Sequence, residues 1–209
     1  MCGRYMLAEL SWADYFAGLS ILRSNAPAEP RYNVCPTQIM PIVRAEEGTH
    51  REVRARWGLN PVWNPKHLLI NARLETAATA RTFKTAFQQQ RCLVPATGWY
   101  EWTGTKGAKQ PHALTRRPAP FFFAGLWFSL NSLEAAFVIL TRGAAPAVAA
   151  LHNRMPVIVP EGGEAAWLTA PDIDSLGSGD EAEFSTWPVA AFGIRDEGPS
   201  LIARGGSLF

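Results

Sequence analysis

Gln38-Ile39-Met40-Pro41-Ile42-Val43-Arg44 and Arg51-Glu52-Val53-Arg54-Ala55-Arg56-Trp57-Gly58-Leu59 read as two paired strands joined by the turn Glu46-Glu47-Gly48-Thr49. On the second run the two-residue period of a strand puts Val53, Ala55, Trp57 and Leu59 on one face. Arg54 and Arg56 fall on the other, read here as a solvated outer surface. Strand-like runs recur at 92–95, 98–102, 121–127, 137–141 and 156–159. Helical spacing is expected at 7–19, where Leu10, Tyr15 and Leu19 are among the apolar positions, and at 76–90, where Phe83 and Phe87 are four apart. A short helix is expected at 164–168, and the Asp-, Ser- and Gly-rich stretch 172–183 reads as a surface loop. Prolines and glycines are scattered rather than gathered into a linker, and no internal repeat is visible. The expectation is one α+β domain over residues 1–209, built on a curved, barrel-like, mostly antiparallel sheet with a few peripheral helices.

Composition narrows the classes. A chain of 209 residues with 47% hydrophobic and 18% charged residues is globular rather than disordered. A net charge of +2 demands no polyanionic partner and forbids none. The cysteines Cys2, Cys35 and Cys92 are odd in number and widely spaced, so neither a disulfide framework nor a zinc site is supported. Cys35 and Cys92 read as buried thiols, and neither metal nor cofactor is expected. No secretion signal is visible, because Glu9 and Asp14 interrupt the stretch after Arg4. The apolar run 120–130 is too short to span a bilayer. A cytoplasmic monomer with no membrane partner is expected.

The chemistry begins at Met1-Cys2-Gly3-Arg4-Tyr5. Removing Met1 would place an α-amine, with a pKa of about 7.7–8.0, and a thiol, at about 8.5, on one residue. The amine can add to an aldehyde to form an imine, and the thiol can then close a five-membered thiazolidine. That closure is intramolecular, with an effective molarity on the order of 10⁵ M when the geometry is right. The plain alternative is an ordinary cysteine at a frayed terminus. Among polar residues beside apolar segments, Asn71, Glu101, His152 and Arg154 stand out. A carboxylate between Tyr100 and Trp102 is costly to desolvate, which favours a raised pKa and acid/base work; a structural salt bridge is the other reading. A lone histidine is more often structural than catalytic, and spacing alone does not bring these groups together.

Seven segments in order resemble the SRAP family, the SOS response-associated peptidase-like, abasic-site processing proteins. They are Met1-Cys2-Gly3-Arg4-Tyr5; Arg31-Tyr32-Asn33-Val34-Cys35-Pro36-Thr37-Gln38; Arg56-Trp57-Gly58-Leu59 with Pro61 and Trp63; Asn71-Ala72-Arg73-Leu74-Glu75-Thr76; Arg91-Cys92-Leu93-Val94-Pro95 through Glu101-Trp102; Ala124-Gly125-Leu126-Trp127; and His152-Asn153-Arg154-Met155-Pro156. Phe128, Asn153 and Ala191-Phe192-Gly193 depart from the family pattern.

The resemblance implies binding of single-stranded DNA that carries an abasic site, and its capture through Cys2 as a thiazolidine crosslink. It also implies peptidase-type loss of Met1. Cys2 is then the nucleophile, and Glu101 moves protons at the amine and carbinolamine. His152 exchanges a proton with the sugar ring oxygen, while Asn71 orients the amine or thiol. Arg4, Arg73, Arg81 and Arg154 match phosphate-gripping positions, and Trp63 and Trp102 can stack on exposed bases. Two rivals remain. An N-terminal-nucleophile glutamine amidohydrolase also begins Met-Cys-Gly, but it ordinarily carries a synthetase domain for which 209 residues leave no room. A non-catalytic single-strand binder would treat intact and abasic DNA alike.

Overall fold

The structure, a computed structural model, describes residues 2–8, 21–22, 29–105, 107–117, 119–131, 134–169 and 184–204. Strands β4 (Ile39–Glu46) and β5 (Thr49–Trp57) form the expected hairpin, and the two-residue β2 (Ile21–Leu22) pairs in parallel with β5 at His50 and Arg51. Glu47 and Gly48 both take left-handed φ, 49° and 78°, as in the two-residue turns whose twist suits a hairpin. Along β5, Ala55 and Trp57 are buried and Val53 packs against the core, while Arg54 is exposed.

The other edge of β4 pairs with β7 (Arg91–Ala96), β7 with β10 (Phe121–Ser129), and β10 with β11 (Ala135–Gly143), all antiparallel. Strand β11 then meets β5 in parallel, Ala136 opposite Arg56 and Phe137 opposite Trp57, and the five strands close into a barrel. Closure leaves these strands no long free edge. The short strand β6 (Asn71–Arg73) continues along the β11 edge that β5 has left, with Asn71 in register with Ile139. Strand β12 (Arg154–Pro156) extends the opposite edge of β11 beyond β10.

A second sheet runs β13 (Phe184–Pro188), β9 (Gln110–Arg116), β8 (Gly98–Thr103), β1 (Tyr5–Leu7) and β3 (Arg31–Val34). Aromatic rings join it to the barrel. Tyr5 lies 5.2 Å from Trp57 and 6.0 Å from Phe123, and Trp99 lies 6.2 Å from Phe123. Alternation along β8 sends Trp99 and Glu101 toward the barrel, and Tyr100 and Trp102 to a smaller cluster with Met6, Ala113, Val189 and Phe192 on the other face.

Several expectations change. The helix expected at 76–90 is two short ones, Leu74–Ala77 and Lys84–Gln89. Between them the Thr79 hydroxyl donates to the Thr76 carbonyl at 3.2 Å, a side-chain bond that competes with helix propagation. Phe83 and Phe87 still point inward, against Phe128 and Trp167. The run 156–159 is a strand only as far as Pro156. Beyond it Val157 N donates to Leu140 O and Val159 N to Phe122 O, so the chain crosses from β11 to β10 instead of pairing along one strand. Leu7, expected to open a helix, ends β1; the rest of that helix from residue 9, and the loop at 172–183, lie outside the described residues. The helix at 164–168 is present as Glu164–Thr169.

Close packing beneath β8 is testable. A Cβ on Gly98 would lie 2.5 Å from the Leu114 carbonyl oxygen. Gly98→Ala is expected to lose about 1–3 kcal/mol, an overpacking cost, in urea unfolding. An unchanged midpoint would contradict the tight β8–β9 approach.

Candidate active site

Strand β1 holds the amino-terminal segment between β8 and β3, with Tyr5 opposite both Trp99 and Val34. Cys2 is therefore drawn into the main core at 0% exposure. Burial, and after it the charge of Glu101, pushes the thiol pKa well above its ordinary value. The Nδ2 group of Asn71 donates to the Cys2 carbonyl at 2.9 Å. Its Oδ1 is buried and has no hydrogen-bond partner among the described residues. Asn71 thus grips the backbone of Cys2 and keeps an acceptor in reserve.

Glu101 is 2% exposed, and burial raises its pKa from the ordinary 4.5 to about 7. The direction agrees with the sequence reading but the walls differ. Tyr100 and Trp102 flank Glu101 in sequence yet face away from it, so the barrel side supplies the desolvation.

His152 Nδ1 lies 2.9 Å from the Arg154 backbone nitrogen and 3.1 Å from the Arg154 carbonyl oxygen, so the Arg154 backbone orients the ring through Nδ1 in either tautomer. Burial lowers the His152 pKa. The Arg154 guanidinium holds Glu75 with two bonds, at 2.5 and 2.8 Å, and donates to the Thr141 carbonyl at 2.6 Å. That clamp ties 152–154 to the segment that begins at Asn71. Cys2, Asn71 and Glu101 are brought together directly, and His152 is joined to them through the Glu75–Arg154 brace.

The DNA-binding candidates fall into two groups. Trp63 is 63% exposed, and its Nε1 donates to Thr82 Oγ1 at 3.0 Å, which sets it beside the exposed Arg81. Arg73 is also exposed, two residues beyond Asn71. Arg4 and Trp102 lie on the face of the second sheet opposite Glu101, with the guanidinium 5.8 Å from the Trp102 ring. Arg154 differs from these, since its terminal nitrogens are engaged with Glu75 and Thr141.

Sequence reasoning did not single out Glu75 or Asn33. Both stand inside quoted motifs, Glu75 two residues after Arg73 and Asn33 two residues after Arg31, and a polar residue that close to a motif arginine was the available signal. Among the described residues, no group of three or more His, Cys, Asp or Glu side chains is placed to hold a metal ion. No helix among them is long and apolar enough to cross a membrane.

The fold and site define a barrel protein that presents a second-residue cysteine to a buried carboxyl group and a carboxamide. The profile of the SOS response associated peptidase (SRAP) family matches residues 1–191, and the chain belongs to that family. It is 32% identical to the abasic site processing protein YedK of Escherichia coli, over 97% of this chain and 99% of that one. It is 30% identical to the abasic site processing protein YoqW of Bacillus subtilis, over 83% of each chain. A phage-related protein of Bordetella bronchiseptica shares the fold with a TM-score of 0.75 at 32% identity, over 91% of this chain and 95% of that one.

The raised Glu101 pKa has a consequence for stability. Between the ordinary carboxyl value and about 7 the unfolded chain releases a proton that the folded chain retains, so stability falls as pH rises through that window. The full loss is roughly 3 kcal/mol, complete above about pH 7. Glu101→Gln should unfold in urea with a midpoint nearly flat from pH 5 to pH 8, while the parent declines. Parallel pH profiles would show that Glu101 is not the source.

Proposed function

We propose that this chain processes abasic sites in DNA, capturing the open-chain sugar aldehyde on Cys2 and acting in the DNA damage response. The observation that carries the reading is the meeting of the Cys2 backbone, the Asn71 carboxamide and the buried Glu101, three remote segments of sequence. Membership of a family whose curated relatives are named abasic site processing proteins supports it.

Loss of Met1, by the chain's own peptidase-type action or by an aminopeptidase, frees the Cys2 amine. His152, as imidazolium, passes a proton to the sugar ring oxygen as the hemiacetal opens, and the neutral ring takes back the proton released by the anomeric hydroxyl as the aldehyde forms. The amine adds to the aldehyde carbon, and Glu101, poised near neutrality, takes a proton from nitrogen and returns one to the carbinolamine hydroxyl as water leaves. The thiol sulfur then bonds to the imine carbon, its proton passes to nitrogen, and the thiazolidine is complete. The unused Asn71 Oδ1 can accept from the freed amine and aim it without adding charge. Exposed Trp63 offers a stacking surface, and Arg73 and Arg81 offer cations to single-stranded DNA.

Mass spectrometry of the purified protein mixed with an abasic oligonucleotide tests the reading. The expected product lacks Met1 and carries DNA on Cys2, and an intact oligonucleotide gives none. Cys2→Ser keeps the amine but loses the sulfur, so its adduct should stop at the imine and fall apart on heating. A heat-stable crosslink from Cys2→Ser, or equal noncovalent binding of intact and abasic DNA with no adduct, would overturn the proposal.

A further inference from the structure

The family match ends at residue 191, one residue before Phe192. The segment that follows is firmly pinned. The Asn33 amide, 1% exposed, donates to Gly193 O at 2.9 Å and to Asp196 O at 2.7 Å. Asp196 Oδ2 accepts from Gly193 N at 2.6 Å, and Glu197 accepts from Tyr32 N and pairs with Arg31 at 3.2 Å. On the inner side Phe192 packs on Tyr100 at 4.8 Å and on Trp102 at 5.9 Å.

Arg4 is caught in this frame. One terminal nitrogen, Nη1, donates to Asn33 Oδ1 at 2.8 Å and to Gly193 O at 3.4 Å. The guanidinium carbon sits 5.8 Å from the Trp102 ring and 5.8 Å from the Phe192 ring. Nε and Nη2 make no hydrogen bond among the described residues and are not among the buried unpartnered atoms. A guanidinium anchored on one corner and held by two aromatic faces keeps its other edge for a tetrahedral oxyanion.

We infer that Phe192 and Gly193 are positioning residues that hold Arg4 with its open edge toward a backbone phosphate of the bound strand. This rests on the DNA reading above and extends it, since it makes affinity depend on a segment beyond the family match. Holding the side chain in place removes rotamer freedom that binding would otherwise have to remove. The aromatic faces favour the cation without competing for its donors.

The test uses an oligonucleotide carrying a tetrahydrofuran abasic analogue, which has no aldehyde and so reports equilibrium binding by fluorescence anisotropy. Phe192→Leu keeps apolar bulk but loses the ring, and it is expected to weaken binding about two- to five-fold. Its log–log salt slope should flatten by up to about 0.7 if the phosphate contact is lost. Phe192→Tyr should restore both. In an Arg4→Gln background, Phe192→Leu should cost nothing further, whereas a purely structural role for Phe192 would cost the same in both backgrounds. Additive losses, an unchanged affinity for Phe192→Leu, or failure of Phe192→Tyr to rescue would overturn the inference. If the parent protein binds the analogue and crosslinks the true aldehyde while the cycle is additive, only this inference falls. If the parent does neither, the DNA reading falls with it.

Discussion

One edge of strand β11 organises the molecule. Its first residues take β5 in parallel and close the barrel at Ala136 and Phe137; two residues further on, the same edge takes β6. A parallel pairing needs a long connection, and the chain between Trp57 and Ala135 supplies one, beginning with the loop that leads from β5 to β6. Because β6 must lie in register with Ile139, Asn71 arrives at a defined height beside the barrel, where its amide reaches the Cys2 carbonyl. The same loop carries the exposed Val62 and Trp63. Barrel closure, the anchoring of the Cys2 carbonyl by Asn71 and the exposure of Trp63 thus follow from one backbone ladder.

The electrostatics follow from that anchoring. Drawing Cys2 and Glu101 into the interface between barrel and second sheet removes water from both, and each resists ionisation as a result. A carboxyl group near its midpoint at neutral pH can both accept and donate a proton, as imine chemistry requires in successive steps. A thiol kept protonated is a poor nucleophile until a reaction partner or a freed amine changes its surroundings. In the capture proposed above, this desolvation places the amine step first and the sulfur step second.

The hairpin, the closing strands and the packing of Phe83 and Phe87 were legible because a half-buried strand and a helix face leave a periodic trace in sequence. The short strands were not. Gln110–Arg116 carries Pro111, His112 and Arg116, and Asn71–Arg73 has one buried residue; each is a strand only because a neighbour's edge demands it. The two-helix break at Thr79 was likewise invisible to periodicity, since its apolar positions still fall on one face.

Residue identity alone settled that an aminothiol could be generated at Cys2 and that seven motifs follow it in a family order. Register decided what those motifs touch. Two-residue alternation turned Glu101 away from the aromatics beside it in sequence and toward Cys2, and it sent Arg4 and Trp102 to the opposite face with Phe192. Arg154, a cation indistinguishable in sequence from Arg73, became a brace because Glu75 lies within reach of it across β11. Chemical capacity is a property of side chains, but desolvation and partnership depend on which strands lie side by side, and only the folded chain brings those strands together.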